Sequence, residues 1–205
     1  TYKFDEGVQD GVVLDLRYEA RDVDQELSNK DKVDLWFDNK TTGLTDRAKI
    51  QLKQSLNSIN KLYSSRQRLE KIAGDIIFDM NLKPRLKNER GTAMLVANSI
   101  YEACRYWDIF TSNGFNRCAV VTSYEPSTAN VRTATSDLNR EGEEEYKKSI
   151  YERMLKGKKL SEFEKEVKEQ FKKEPAKMKL LIVVDKLLTG FDAPTATYLY
   201  IDKSM

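Results

Sequence analysis

Gly190, Asp192 and Pro194 close a short loop that follows an unbroken apolar run, Leu180 to Val184. Their types suit a tight turn that leaves a carboxylate exposed. The run is rich in β-branched residues and reads as a buried strand of a parallel sheet, with Pro175 as a stop before it. A loop at the carboxyl end of such a strand is where open α/β sheets bind ligands. A second set of polar groups, the hydroxyls of Ser99, Thr122 and Ser123, falls at predicted strand ends or a helix start. Helix amino termini and nearby hydroxyls suit phosphate oxygens. The plain alternative is a buried strand followed by a structural turn, and the residues alone leave both open.

Other chemistries are absent from the sequence. The 205 residues include no histidine, which removes imidazole metal ligands and any Ser-His or Cys-His pair within the chain. The two cysteines, Cys104 and Cys118, fall in apolar patterns and are expected to be buried thiols, with no metal bound. No GxxxxGK[ST] loop is present to cradle phosphates and Mg2+. Nor does an acidic pair close an apolar strand, since Asp185 and Asp202 each stand alone beside a lysine. With 40% hydrophobic and 33% charged residues the composition suits a globular domain of mixed class, one domain with an appended arm. The net charge of +2 is spread among interspersed acids and bases, so contact with nucleic acid requires a local patch. No apolar run approaches a membrane span and no leader precedes the first residues, which predicts a cytoplasmic protein without membrane contact.

The elements that must position these groups follow from periodicity. Val12 to Glu19 alternates and predicts a half-buried strand with Tyr18 on its inner face; Val33, Leu35, Trp36 and Phe37 form an apolar patch without period. Thr45 is placed to cap a helix striped by Leu52, Leu56, Ile59, Leu62 and Tyr63, and Ser64 and Ser65 divide it from a second stripe running from Leu69 to Met80. Pro84 and Gly91 break the basic run that follows. Ala93 to Ala97 is the next buried strand, and Ser99 with Glu102 forms a capping-box signature for the helix after it. Gly114 ends that helix before the strand Cys118 to Val121, which completes a βαβ unit. The charged stretch Glu141 to Lys173 keeps two helical stripes, Tyr146, Ile150, Met154 and then Leu160, Phe163, Val167, Phe171. Lys156 to Lys159 reads as a solvated turn between them, and Tyr198 to Ile201 as a last strand. The fold class is therefore α/β, a mostly parallel sheet flanked by helices.

Three stretches carry a resemblance, in order, across nearly the whole chain. DKLLTGFDAP resembles helicase motif V in the R subunits of type I restriction-modification enzymes, which are superfamily 2 DNA translocases. DGVVLDLRYEARDVDQ, from Asp10, is similar to the segment after their first motor lobe, and TAMLVANS, from Thr92, to their motif IV strand. The resemblance implies a RecA-like second lobe over 41–205, preceded by a linking strand and arm over 1–40 and ending before motif VI. It implies that Gly190 lets the backbone approach a nucleotide and that Asp192 reaches its ribose or orders the loop near it. Thr189 and Lys186 would face the DNA strand, and Ser99, Thr122 and Ser123 would hydrogen-bond DNA phosphates. No residue of the chain is expected to be catalytic. ATP and Mg2+ would act in the full-length enzyme, with the phosphate-cradling loop on the first lobe and a nuclease domain further back. Double-stranded DNA and the modification and specificity subunits are the implied partners. The alternatives are another superfamily 2 helicase lobe, or a non-catalytic α/β interaction domain whose TGFD turn is structural.

Overall fold

Two apolar runs set the architecture. In the computed structural model, which describes residues 4–11, 17–21, 23, 41–43, 45–126 and 138–203 (backbone alone at 4, 5, 46, 51–65 and 138–141), strand β1 (Thr92–Ala97) is buried at all six positions. Strand β3 (Leu180–Val183) is buried at all four. Runs of this kind belong to strands covered on both faces. They pair in parallel, with Ala93 opposite Leu180 and Val96 opposite Val183. Strand β2 (Cys118–Val120) lies beyond β3 and strand β4 (Ala196–Asp202) beyond β1. The order is β2-β3-β1-β4, and every pairing is parallel. Four of the segments expected to be strands thus share one sheet. The βαβ unit is present, but β3 is inserted between its two strands.

Helices α1 (Phe4–Gln9), α2 (Asp46–Leu82), α3 (Pro84–Lys87), α4 (Ile100–Ser112), α5 (Leu138–Leu155) and α6 (Leu160–Lys173) complete the described elements. Four of them, α2, α4, α5 and α6, contribute to the core by their predicted stripes. Leu69, Ala73, Ile76 and Met80 are buried on α2; Ala103, Cys104, Trp107 and Phe110 on α4; Ile150 and Met154 on α5; Val167 and Phe171 on α6. Both cysteines are free and buried, and loss of hydration pushes each thiol up to about 12. Among the described residues no helix is long and apolar enough to cross a membrane.

Two expectations change. Ser64 and Ser65 do not divide α2, which runs unbroken from its Thr45 cap to Leu82. Serine costs a helix interior at most about 0.7 kcal/mol, too little to end a long helix packed along its second half. The real stop is Pro84, before which Lys83 is extended at φ −66, ψ 131. The strand expected over Val12 to Glu19 is not seen at its described end. Val12 to Leu16 lie outside the described residues, Arg17 to Ala20 have no regular structure, and Tyr18 is 89% exposed rather than on an inner face. The charges there bind the segment to the end of α2: Arg21 pairs with Glu19 and Asp79, each at 2.9 Å, and Lys83 with Glu19 at 3.3 Å. The apolar patch from Val33 to Phe37 and the side chains from Leu52 to Tyr63 lie outside what is described.

Candidate functional site

Because the strands are all parallel, their carboxyl ends form one edge. Ser99 follows β1, Thr122 and Ser123 follow β2, Lys186 follows β3, and Asp202 ends β4. Each of these side chains has a definite neighbourhood. The Ser99 hydroxyl accepts a hydrogen bond from the Glu102 amide at 3.2 Å and caps α4. Glu102 turns toward Arg68 of α2 at 3.5 Å, and its second oxygen is buried with no hydrogen-bond partner. Asp202 accepts from the Arg68 guanidinium and from the Tyr106 hydroxyl, the latter at 2.6 Å. Asp202 is therefore not an isolated acid beside a lysine. Asp185 is closer to that expectation, pairing with Lys203 at 2.8 Å on the exposed rim.

Thr122 is buried, and its hydroxyl is 2.8 Å from the Tyr151 hydroxyl while accepting from the Tyr124 amide at 3.1 Å. Ser123 beside it is exposed. Lys186, with its side chain 37% exposed, turns its ammonium toward α6. Its ammonium donates to both carboxylate oxygens of Glu164 on α6, at 2.7 and 2.8 Å, and to the Thr122 carbonyl at 3.2 Å. Sequence reasoning named Lys186 and Thr122 but missed Glu164 and Tyr151. A signal was there: Glu164 stands four residues after Leu160 and three before Val167, which puts it on the buried stripe of α6.

The loop between β3 and β4 begins at this edge and does not stay there. Thr189 and Gly190 are exposed, and Gly190 has φ +70 with nothing within 4 Å of where a Cβ would stand. Glycine is favoured there by the left-handed backbone rather than by crowding. Phe191 then packs tilted against Phe171 of α6 with ring centroids 6.1 Å apart, and the Lys172 ammonium sits 4.7 Å from its ring centre. Phe171 is seven residues along α6 from Glu164, about 10 Å at 1.5 Å per residue. The loop thus runs down α6 toward the amino edge, where the Thr195 carbonyl accepts from the Thr92 amide at 2.7 Å. Asp192 is exposed on this descending half, next to the anchored Phe191. The structure therefore groups Ser99, Thr122, Ser123 and Lys186 at the sheet edge and carries Thr189, Gly190 and Asp192 along the outer surface of the same loop. A cavity of about 660 Å3 opens elsewhere, at the amino edge among Trp107, Cys118, Met154, Phe163 and Met178.

Comparison with known proteins decides the family. Residues 89–205, more than half of the chain and all four strands, match the family described as type I restriction enzyme subunit R domain 3. The chain belongs to this family. A relative from Methanocaldococcus jannaschii, named "Putative type I restriction enzyme MjaIXP endonuclease subunit", is 28% identical over 206 residues. The match covers 100% of the chain and 18% of the relative, so the chain spans about a fifth of that protein's length. Both the loop from Lys186 to Asp192 and the hydroxyls at the carboxyl edge lie inside the matched R-subunit domain.

Proposed function

We propose that the chain is the second motor lobe of the ATP-dependent DNA translocase and endonuclease subunit of a type I restriction enzyme. It supplies one wall of an ATP cleft and part of a DNA-backbone track. The observation that carries the reading is the loop from Lys186 to Asp192, which leaves the carboxyl edge of a parallel sheet with its second half exposed, within a domain of the R-subunit family. Gly190 has no side chain to keep a nucleotide away from the backbone, and Asp192 offers a carboxylate to a ribose hydroxyl. Ser123 and Thr189 are the exposed hydroxyls suited to DNA phosphates, with Ser99 offering its remaining proton. Contacts of this kind position a duplex without reading its bases.

In this reading the donors for Mg2+ come from the nucleotide phosphates and the first lobe. That lobe and the nuclease domain are the intramolecular partners of this reading, the modification and specificity subunits the external ones, and the cytoplasm its compartment. A ribose-linked photoreactive ATP analogue tests it in the full-length R subunit. Labelling should map to residues 187–193 and disappear with excess ATP. Labelling confined to other segments would contradict the assignment.

A further inference from the structure

We infer that Glu164, on the charged helix α6, and Lys186 form a clamp that sets the path of the 185–194 loop, so that Lys186 is a positioning residue rather than a contact to DNA. An ammonium has three protons to donate. Here all three are directed at protein oxygens, two on Glu164 and one on the Thr122 carbonyl, within 3.2 Å. The side chain is 37% exposed, but its ammonium is engaged by these oxygens, and a phosphate would compete with them for it. The acceptor side is built for the purpose, since the Glu164 side chain is only 9% exposed and also receives Lys168 at 3.4 Å. Removing Lys186 leaves the buried Glu164 carboxylate with only the longer Lys168 contact, and removing Glu164 leaves the Lys186 ammonium without the partner that sets its direction.

The backbone beside the clamp supplies an independent reason for it. Leu187 has φ +72, a left-handed conformation that a leucine side chain disfavours, and it packs against the core. A conformation of that kind persists only where its surroundings over-determine it. Lys186 is fixed on one side and Phe191 is held against Phe171 and Lys172 on the other. The loop is thereby pinned to α6 at two points, with Thr189 and Gly190 exposed between them. This gives the charged helices, which match no motor motif, a mechanical role. A displacement of α6 relative to β3 moves the exposed segment.

The inference rests on the proposed function only for its consequence, and the experiment separates the two. Glu164→Gln, Lys186→Met and the double variant are made in the full-length R subunit. Amide hydrogen exchange over 187–193, the KM for ATP in DNA-stimulated hydrolysis, and the salt dependence of DNA binding are then measured. The clamp predicts exchange faster by about tenfold in both single variants, with no further increase in the double. It predicts a KM for ATP raised several-fold in all three with kcat within about twofold, a split that general destabilisation does not produce. The slope of log affinity against log salt should not change. Faster exchange with an unmoved KM supports the clamp and overturns the nucleotide reading of the loop. Unchanged exchange in Glu164→Gln overturns the clamp, as does a salt slope reduced by about 0.9 in Lys186→Met alone, which is the mark of one lost phosphate contact.

Discussion

Arg68 lets two carboxylates meet at the end of the sheet. It pairs with Asp202 and, at 3.5 Å, with Glu102, while Tyr106 donates to Asp202. Glu102 is nevertheless held above the usual carboxylate range, because desolvation by burial outweighs the attraction of Arg68 and Asp202 adds repulsion. An acid with a raised folded-state pKa opposes folding once the pH exceeds its unfolded value, and the penalty vanishes below that value. Glu102→Gln should therefore raise the thermal midpoint at pH 7, with the gain shrinking as the pH falls through the carboxylate range. A loss of stability at pH 7 would show that the Arg68 pair outweighs burial. At this scale the sequence was legible for residue type and not for direction. Ser99 and Thr45 cap their helices as their positions imply. The Thr122 hydroxyl, read from its place at a strand end, and the Lys186 ammonium, which the resemblance turned toward DNA, are engaged by Tyr151 and Glu164, which lie 29 and 22 residues away. Partners at that separation leave no local pattern.

Gly91 shows why elements, once placed, constrain one another. It joins α3 to β1, and a Cβ there would stand 2.5 Å from the Thr197 hydroxyl of β4 and 3.0 Å from the Arg85 Cβ. Gly91→Ala should cost about 1–3 kcal/mol in chemical denaturation, the usual range for overpacking a tight site. Adding Thr197→Ala should recover part of it, since that hydroxyl is buried without a hydrogen-bond partner and its removal costs little. No recovery would assign the strain to Arg85 alone. The sequence marked Gly91 only as a breaker; the close approach depends on β4, which is paired to β1 through a register that shifts at Thr92. Strand and helix positions were readable because apolar runs and stripes are local signals. Strand order was not, because β3 entering between β1 and β2 is a choice among non-local pairings. The unbroken α2 and the irregular Arg17 to Ala20 mark the same limit in opposite directions, since packing extends one element and side-chain pairing replaces the other.

At the scale of the whole molecule, a chain that supplies only one wall of a nucleotide cleft, as proposed, should not hydrolyse ATP by itself. Steady-state phosphate release from the isolated chain is expected at the buffer blank, with or without DNA, because no phosphate-cradling loop is present. Turnover that persists through repurification would place catalytic parts within these residues. The family was legible because DKLLTGFDAP and TAMLVANS are contiguous stretches, and both fall inside the matched region. The descent of the loop along α6 was not, because it depends on Phe171 and Lys172 capturing Phe191.

The central claim is that this loop meets ATP, and Asp192 is where it is most exposed to test. A charge-assisted hydrogen bond to a ribose hydroxyl is worth roughly 1.5–3 kcal/mol. Asp192→Ala in the full-length R subunit, measured for DNA-stimulated ATP hydrolysis and for thermal midpoint on the same preparation, should lose about ten- to hundredfold in rate with the midpoint nearly unmoved. A variant that melts earlier yet hydrolyses ATP at the parental rate would contradict the account and leave Asp192 as a turn residue.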